Sequence, residues 1–265
     1  MTRVIAAICA AVIGVIAASS MATAVAAPAI PWELVDVRPH DPRAFTQGLV
    51  AHRGELLEST GDCCPQGTGQ SSIRRVDPAT GRVLAIRYLP APVWAEGVTV
   101  LRGVAWQLTW FDGVAYRVSP NSLRRVATLR YPREGWGITT QGGRLVASDG
   151  TARLRWLRAR DLRVTRTVVV RDGGRPVDRL NELELIGGLI WANVWPGNRI
   201  ALIRPRDGAV RGWLDLSGLR SRIAPGADVL NGIARDPVTG NVIVTGKNWN
   251  RMFVIRLPTT PGATG

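Results

Sequence analysis

The chain is short of several residue types, and each shortage removes a class of chemistry. Its 265 residues include three cysteines and two histidines. Cys9 falls in the N-terminal apolar stretch, while Cys63 and Cys64 are neighbours in one Gly/Pro-rich loop, so no disulfide framework spreads along the chain. With His40 and His52 as the only imidazoles, a Cys/His zinc site has too few ligands. No metal and no cofactor are expected. Lysine is almost missing: Lys247 is the single one, and arginine supplies the rest of a formal net charge of +14. The arginines are scattered, as at Arg74-Arg75, Arg124-Arg125 and along 153–160, whereas a nucleic-acid reader gathers them on one face with interleaved aromatics. They read as a solvated rim whose stems cover apolar surface, and no nucleic-acid partner is expected.

Long apolar runs are confined to the start. Residues 4–18 are apolar after Arg3, and Ala24-Val25-Ala26 before Ala27 fits a small-residue cleavage site. That run is shorter than the ~20 residues a membrane-spanning helix needs. Residues 1–26 therefore read as a secretory signal, 27–258 as one domain and 259–265 as a frayed tail. The expectation is an exported monomer, periplasmic or secreted, with no membrane insertion once the signal is removed. Helical periodicity is also missing, since no 3.6-residue pattern lasts beyond a turn or two.

What the chain does have is one short phrase written repeatedly. A polar residue or Trp, then Gly, then an aliphatic residue occurs at Gln47-Gly48-Leu49, Glu96-Gly97-Val98, Trp136-Gly137-Ile138 and Asn231-Gly232-Ile233, with a looser copy at Asn181-Glu182-Leu183. The steps between copies are 49, 40, 45 and 50 residues. Each copy precedes a Gly turn and an apolar run, and turn signals such as Asp77-Pro78-Ala79-Thr80-Gly81 break the chain every few residues. Repeats of about 40–50 residues built from short strands signify propeller blades. The all-β chain is thus expected to form a five-bladed β-propeller. Its last repeat lacks a strand, and residues 32–37 can supply it from the N-terminus, so this strand is expected to close the ring as the outer strand of the final blade.

If first strands line the hub, the starts of the repeats gather on one face. Phe45, Gln47, Glu96, Trp136, Asn181, Glu182 and Asn231 collect there, and second-strand ends add Trp110, Trp195, Lys247 and Trp249. Such a set suits a small polar ligand with an apolar stem. Trp94, Trp106, Trp156, Trp191 and Trp213 read as packing between blades.

The run Pro39-His40-Asp41-Pro42-Arg43-Ala44-Phe45-Thr46-Gln47-Gly48-Leu49 resembles the opening motif of the plant and bacterial type of glutaminyl-peptide cyclotransferase. Ala95-Glu96-Gly97-Val98-Thr99, Leu180-Asn181-Glu182-Leu183-Glu184, Trp191-Ala192-Asn193-Val194-Trp195 and Val244-Thr245-Gly246-Lys247-Asn248-Trp249 continue the likeness in order. The resemblance implies a five-bladed propeller that turns the N-terminal Gln of peptides or proteins into pyroglutamate with release of ammonia. It implies Glu96 as the proton shuttle, with Lys247 and Asn181 as further catalytic groups. Phe45, Gln47, Trp110, Trp136, Trp195 and Glu182 are the substrate-binding candidates: aromatic walls, an amide partner for the substrate amide, and a partner for its α-amine. Glu184 reads as structural. The loop Asp62-Cys63-Cys64-Pro65-Gln66-Gly67-Thr68 departs from the family pattern and bears on substrate access. The competing reading is a non-catalytic exported propeller that binds peptides or acidic partners; a lactonase-type propeller would want a carboxylate-rich hub instead.

Overall fold

The computed structural model describes residues 25–61 and 70–258. Residues 1–24 of the leader, the Cys63-Cys64 loop and the tail from residue 259 lie outside the described residues. Strand β1 (Glu33–Pro39) comes first. Blade one holds β2 (Phe45–His52), β3 (Glu55–Gly61), β4 (Ser72–Val76) and β5 (Val83–Tyr88); blade two holds β6 (Ala95–Leu101), β7 (Val104–Thr109), β8 (Val114–Val118) and β9 (Arg125–Arg130). Blade three comprises β10 (Ile138–Gln141), β11 (Arg144–Ala147), β12 (Arg153–Leu157) and β13 (Val164–Val169). A short hairpin, β14 (Arg171–Asp172) with β15 (Arg175–Pro176), intervenes; at two residues per strand it leaves no alternation for sequence reading to detect. Blade four is β16 (Leu180–Ile186), β17 (Leu189–Val194), β18 (Arg199–Ile203) and β19 (Val210–Asp215). The last blade contains β20 (Leu230–Arg235), β21 (Val242–Gly246) and β22 (Arg251–Arg256).

The N-terminal strand completes that blade. β1 pairs antiparallel with β22, giving the order β1-β22-β21-β20. The first strands of successive blades touch in turn, and β20 touches β2, so the ring closes as expected from the repeats. Five apolar layers fill the spaces between neighbouring blades. Trp106, Trp156, Trp191, Trp213 and Trp249 sit in these layers.

The repeated phrase has a physical cause. In four of the five inner strands the pairing register slips at the motif, between Thr46 and Gly48, Ala95 and Val98, Leu180 and Leu183, and Leu230 and Ile233. Such bulges leave residues unpaired and re-aim their side chains. Gln47, Glu96, Asn181 and Asn231 are the residues released in this way. The motif glycine meets the neighbouring copy of the motif: a Cβ on Gly97 would lie 2.7 Å from the Trp136 carbonyl oxygen, and one on Gly137 only 2.1 Å from that of Asn181. Only glycine permits so close an approach between blades.

A buried ionic clasp secures the closure. Arg38 in β1 grips Asp236 through Nη1 at 3.2 Å and Nη2 at 2.8 Å, and also reaches Asp36 at 2.8 Å. Beyond β1, His40 places Nδ1 2.7 Å from the Trp249 carbonyl oxygen and Nε2 3.0 Å from Glu58 Oε1. Arg74 donates to Glu58 from Nε at 2.8 Å and to Asp41 from Nη1 at 3.0 Å. Burial would push the Glu58 carboxyl up, but Arg74 and His40 hold it well below its ordinary range.

Candidate active site

A cavity of about 490 Å³ opens at the hub where the inner strands begin. It is lined by Phe45, Gln47, Glu96, Trp110, Trp136, Asn181, Trp195 and Lys247, eight of the nine residues expected to act on substrate. Trp94, Pro196, Asp228 and Val229 complete the lining. A second cavity, of about 310 Å³ near the edges of blades one and two, is lined by groups such as Arg87, Tyr116 and Arg125 and contains no carboxyl group.

Glu96 is the centre of the site. It is 4% exposed, and Gln47 donates to its Oε1 from Nε2 at 2.8 Å. Burial raises the Glu96 carboxyl well above its ordinary range; the charge of Lys247 pulls it down and that of Glu134 pushes it further up. The Trp94 indole N–H also favours the ionised form, without closing a hydrogen bond of full geometry. Lys247 has its Nζ 4.5 Å from the centre of the Phe45 ring. The backbone holds it there through Lys247 N–H to the Val229 carbonyl at 2.9 Å, while Asn248 N–H reaches the Ala44 carbonyl at 2.7 Å. The unique lysine and the Phe45 wall are thus tied together by the junction of the last and first blades.

Three side-chain amide oxygens, Gln47 Oε1, Asn181 Oδ1 and Asn231 Oδ1, are buried without a hydrogen-bond partner among the described residues, and the first two belong to residues that line the cavity. Such acceptors are costly unless something else satisfies them. A ligand bearing an NH₂ group is the natural complement.

The walls are joined ring to ring. Phe45 meets Trp94 edge-on at 5.9 Å, Trp94 meets Trp110 at 5.7 Å, and Trp110 stacks on Phe111 at 4.3 Å. Trp136 and Trp195 pack T-shaped at 6.1 Å. Trp94 was expected between blades. Its place in the lining follows from its position two residues before Glu96, at the mouth end of an inner strand, and that adjacency is the signal a sequence reading could have used.

Glu182 stands apart from the other expected site residues and is not part of the cavity lining. It occupies the glycine position of the fourth motif copy, is 1% exposed, and receives the Leu49 backbone N–H at 3.4 Å. Burial holds its carboxyl well above the ordinary range, with the Glu184 charge adding to the effect. Glu184 accepts from Thr139 Oγ1 at 3.2 Å and is pushed up to about 8, chiefly by loss of hydration. These two carboxyl groups belong to the contacts among inner strands. Among the described residues no three His, Cys, Asp or Glu side chains gather as metal ligands.

The hub of this propeller holds a desolvated carboxyl, an ammonium and open amide acceptors inside aromatic walls, an enzyme's cavity. The family model for glutamine cyclotransferase matches residues 6–257, and the chain belongs to that family. It is 39% identical over 239 residues to a glutaminyl-peptide cyclotransferase of Arabidopsis thaliana, spanning 88% of this chain and 73% of the relative. The crystal structure of Myxococcus xanthus glutaminyl cyclase superimposes with a TM-score of 0.80 at 34% identity, over 88% of this chain and 99% of that one. The WD40 propeller domain of Doa1, at 11% identity and a TM-score of 0.51 over 86% of this chain and 98% of that domain, shares the fold alone.

Proposed function

We propose that this enzyme converts the N-terminal glutamine of peptides and proteins to pyroglutamate, with Glu96 as a proton shuttle and no metal ion. The observation that carries the proposal is the meeting of a buried Glu96, its affinity for protons raised, with Lys247 and two open amide oxygens inside aromatic walls. The substrate α-amine attacks the δ-carbon of its own side-chain amide. A carbon–nitrogen bond forms, and the carbonyl electrons move onto oxygen. Ionised Glu96 takes a proton from the attacking nitrogen and delivers it to the departing one. The tetrahedral centre then collapses, the old carbon–nitrogen bond breaks, and ammonia leaves. Proton in and proton out balance on one carboxyl group, which is why a raised affinity for protons suits the role.

Gln47 and Asn181 accept from the substrate amide, orienting its NH₂ toward Glu96. Lys247 supplies positive charge to the oxygen on which negative charge grows, an effect strengthened where water is scarce. The aromatic walls keep the side chain curled back on the amine, removing most of the entropy of ring closure before reaction. In the cell, we infer an exported enzyme, on the strength of the apolar leader and the small-residue cleavage pattern at residues 24–26.

Purified protein mixed with a Gln-initiated dipeptide is expected to release ammonia, with the peptide losing the mass of one NH₃. The rate should be indifferent to chelators. Tight peptide binding without turnover on several such substrates would instead support a binding propeller, and loss of activity on chelation would refute the metal-free mechanism.

A further inference from the structure

Glu134 lies in the connection between β9 and β10, outside the repeated motif, and the likeness to the family assigned it no role. Its Oε1 accepts from two tryptophans at once: Trp110 Nε1 at 2.7 Å and Trp136 Nε1 at 2.8 Å. These indoles belong to different blades, and both line the hub cavity. The connection itself is fixed, since Gly135 N–H reaches the Trp110 carbonyl at 3.2 Å and Trp136 N–H the Ser148 carbonyl at 3.2 Å. A Cβ on Gly135 would lie 2.7 Å from the Thr109 carbonyl oxygen, so the residue following Glu134 presses directly on blade two.

We propose that Glu134 is a positioning residue for the reaction: one carboxylate oxygen sets the spacing of the Trp110 and Trp136 walls. The inference rests on the cyclase reading of the same cavity. Two donors on one acceptor form a staple that neither tryptophan could provide by packing alone. Charge-assisted hydrogen bonds of this kind are about twice as strong as neutral ones. Glu134 is also one of the charged groups that act on Glu96. Lys247 favours its ionised form and Glu134 its protonated form. Asp228, the remaining acidic group of the lining, accepts at Oδ1 from the Val229 backbone N–H.

Two variants test the staple. Glu134→Ala deprives both indoles of their acceptor, and kcat/KM for a Gln-initiated peptide should fall about tenfold to a hundredfold, mainly through KM, with a shift in tryptophan emission. Glu134→Gln keeps an amide oxygen for both indoles but removes the charge. It should restore most of the lost KM while moving the Glu96-dependent midpoint of the pH–rate profile to lower pH. A Glu134→Ala protein with wild-type KM and emission would overturn the staple. Should the alanine variant not fold, Glu134→Gln decides: wild-type KM and emission with an unmoved midpoint would overturn the role of Glu134. Wild-type enzyme in the same assay keeps the two readings apart. If it releases no ammonia the cyclase reading fails, whereas an active wild type with indifferent variants removes only the role of Glu134.

Discussion

Gln47 and Glu96 sit at equivalent bulges of adjacent inner strands, and a 2.8 Å hydrogen bond from Gln47 Nε2 to Glu96 Oε1 joins them across the blade boundary. The contact uses one end of the Gln47 amide and leaves its oxygen open. The same repeat that builds the ring therefore also builds the site. Four of the five blades re-aim a motif side chain at such a bulge, and Gln47 and Glu96 orient each other across their boundary.

Lys247 acts on Glu96 in the sense opposite to burial. Replacing it with methionine removes the charge that favours ionised Glu96. The pH midpoint of activity should then move upward, opposite to the Glu134→Gln shift, and kcat should fall about 10²–10³-fold as the oxyanion loses its counter-charge. Lys247→Arg should recover only part of this, because a planar guanidinium cannot replace a compact ammonium at the same point. A downward or absent shift in the Lys247→Met profile would contradict the arrangement.

The clasp around Glu58 should govern acid stability. Its folded carboxyl is held below the ordinary value of 4.5 by Arg74 and His40 despite burial. The stabilisation is therefore complete above that value and is lost as pH falls toward the depressed one. Glu58→Gln leaves Arg74 buried with a weaker partner and should cost roughly 3–5 kcal/mol in urea unfolding at neutral pH. Equal stability of variant and wild type would show that the clasp contributes nothing.

Glu182 predicts the reverse pH dependence. Its carboxyl is raised in the folded chain, so its contribution is full below the ordinary value of 4.5 and drains away as pH rises through the raised one. Glu182→Gln replaces it with a neutral group of the same shape. The variant should match the wild type in acid and exceed it in Tm at alkaline pH. The gain should be about 1.4 kcal/mol for each unit separating the folded and unfolded values. A variant less stable than wild type at alkaline pH would argue that Glu182 is ionised and paired.

Much of this architecture is legible in the sequence because the ring imposes the same demand five times. Gly48, Gly97 and Gly137 recur where one copy of the motif touches the next, so the blades could be counted, and the missing strand pointed to residues 32–37. The polar residues before those glycines pointed to the hub. Three features escaped for physical reasons. Trp94 belongs to no motif position, and an apolar ring beside a strand reads the same whether it faces a core or a cavity. Glu134 acts through the geometry of a connection, which carries no periodic pattern. Glu182 was grouped with the substrate ligands, although the glutamate in place of a motif glycine already distinguished it from Gln47 and Glu96.

Ammonia release by Glu96→Gln, measured beside wild type on one Gln-initiated peptide, tests the proton shuttle most directly. The variant keeps the shape of the side chain and removes its ability to carry a proton. The account predicts a fall of about 10²–10⁴-fold in kcat with folding and peptide binding retained. A variant turning over as fast as wild type would contradict it.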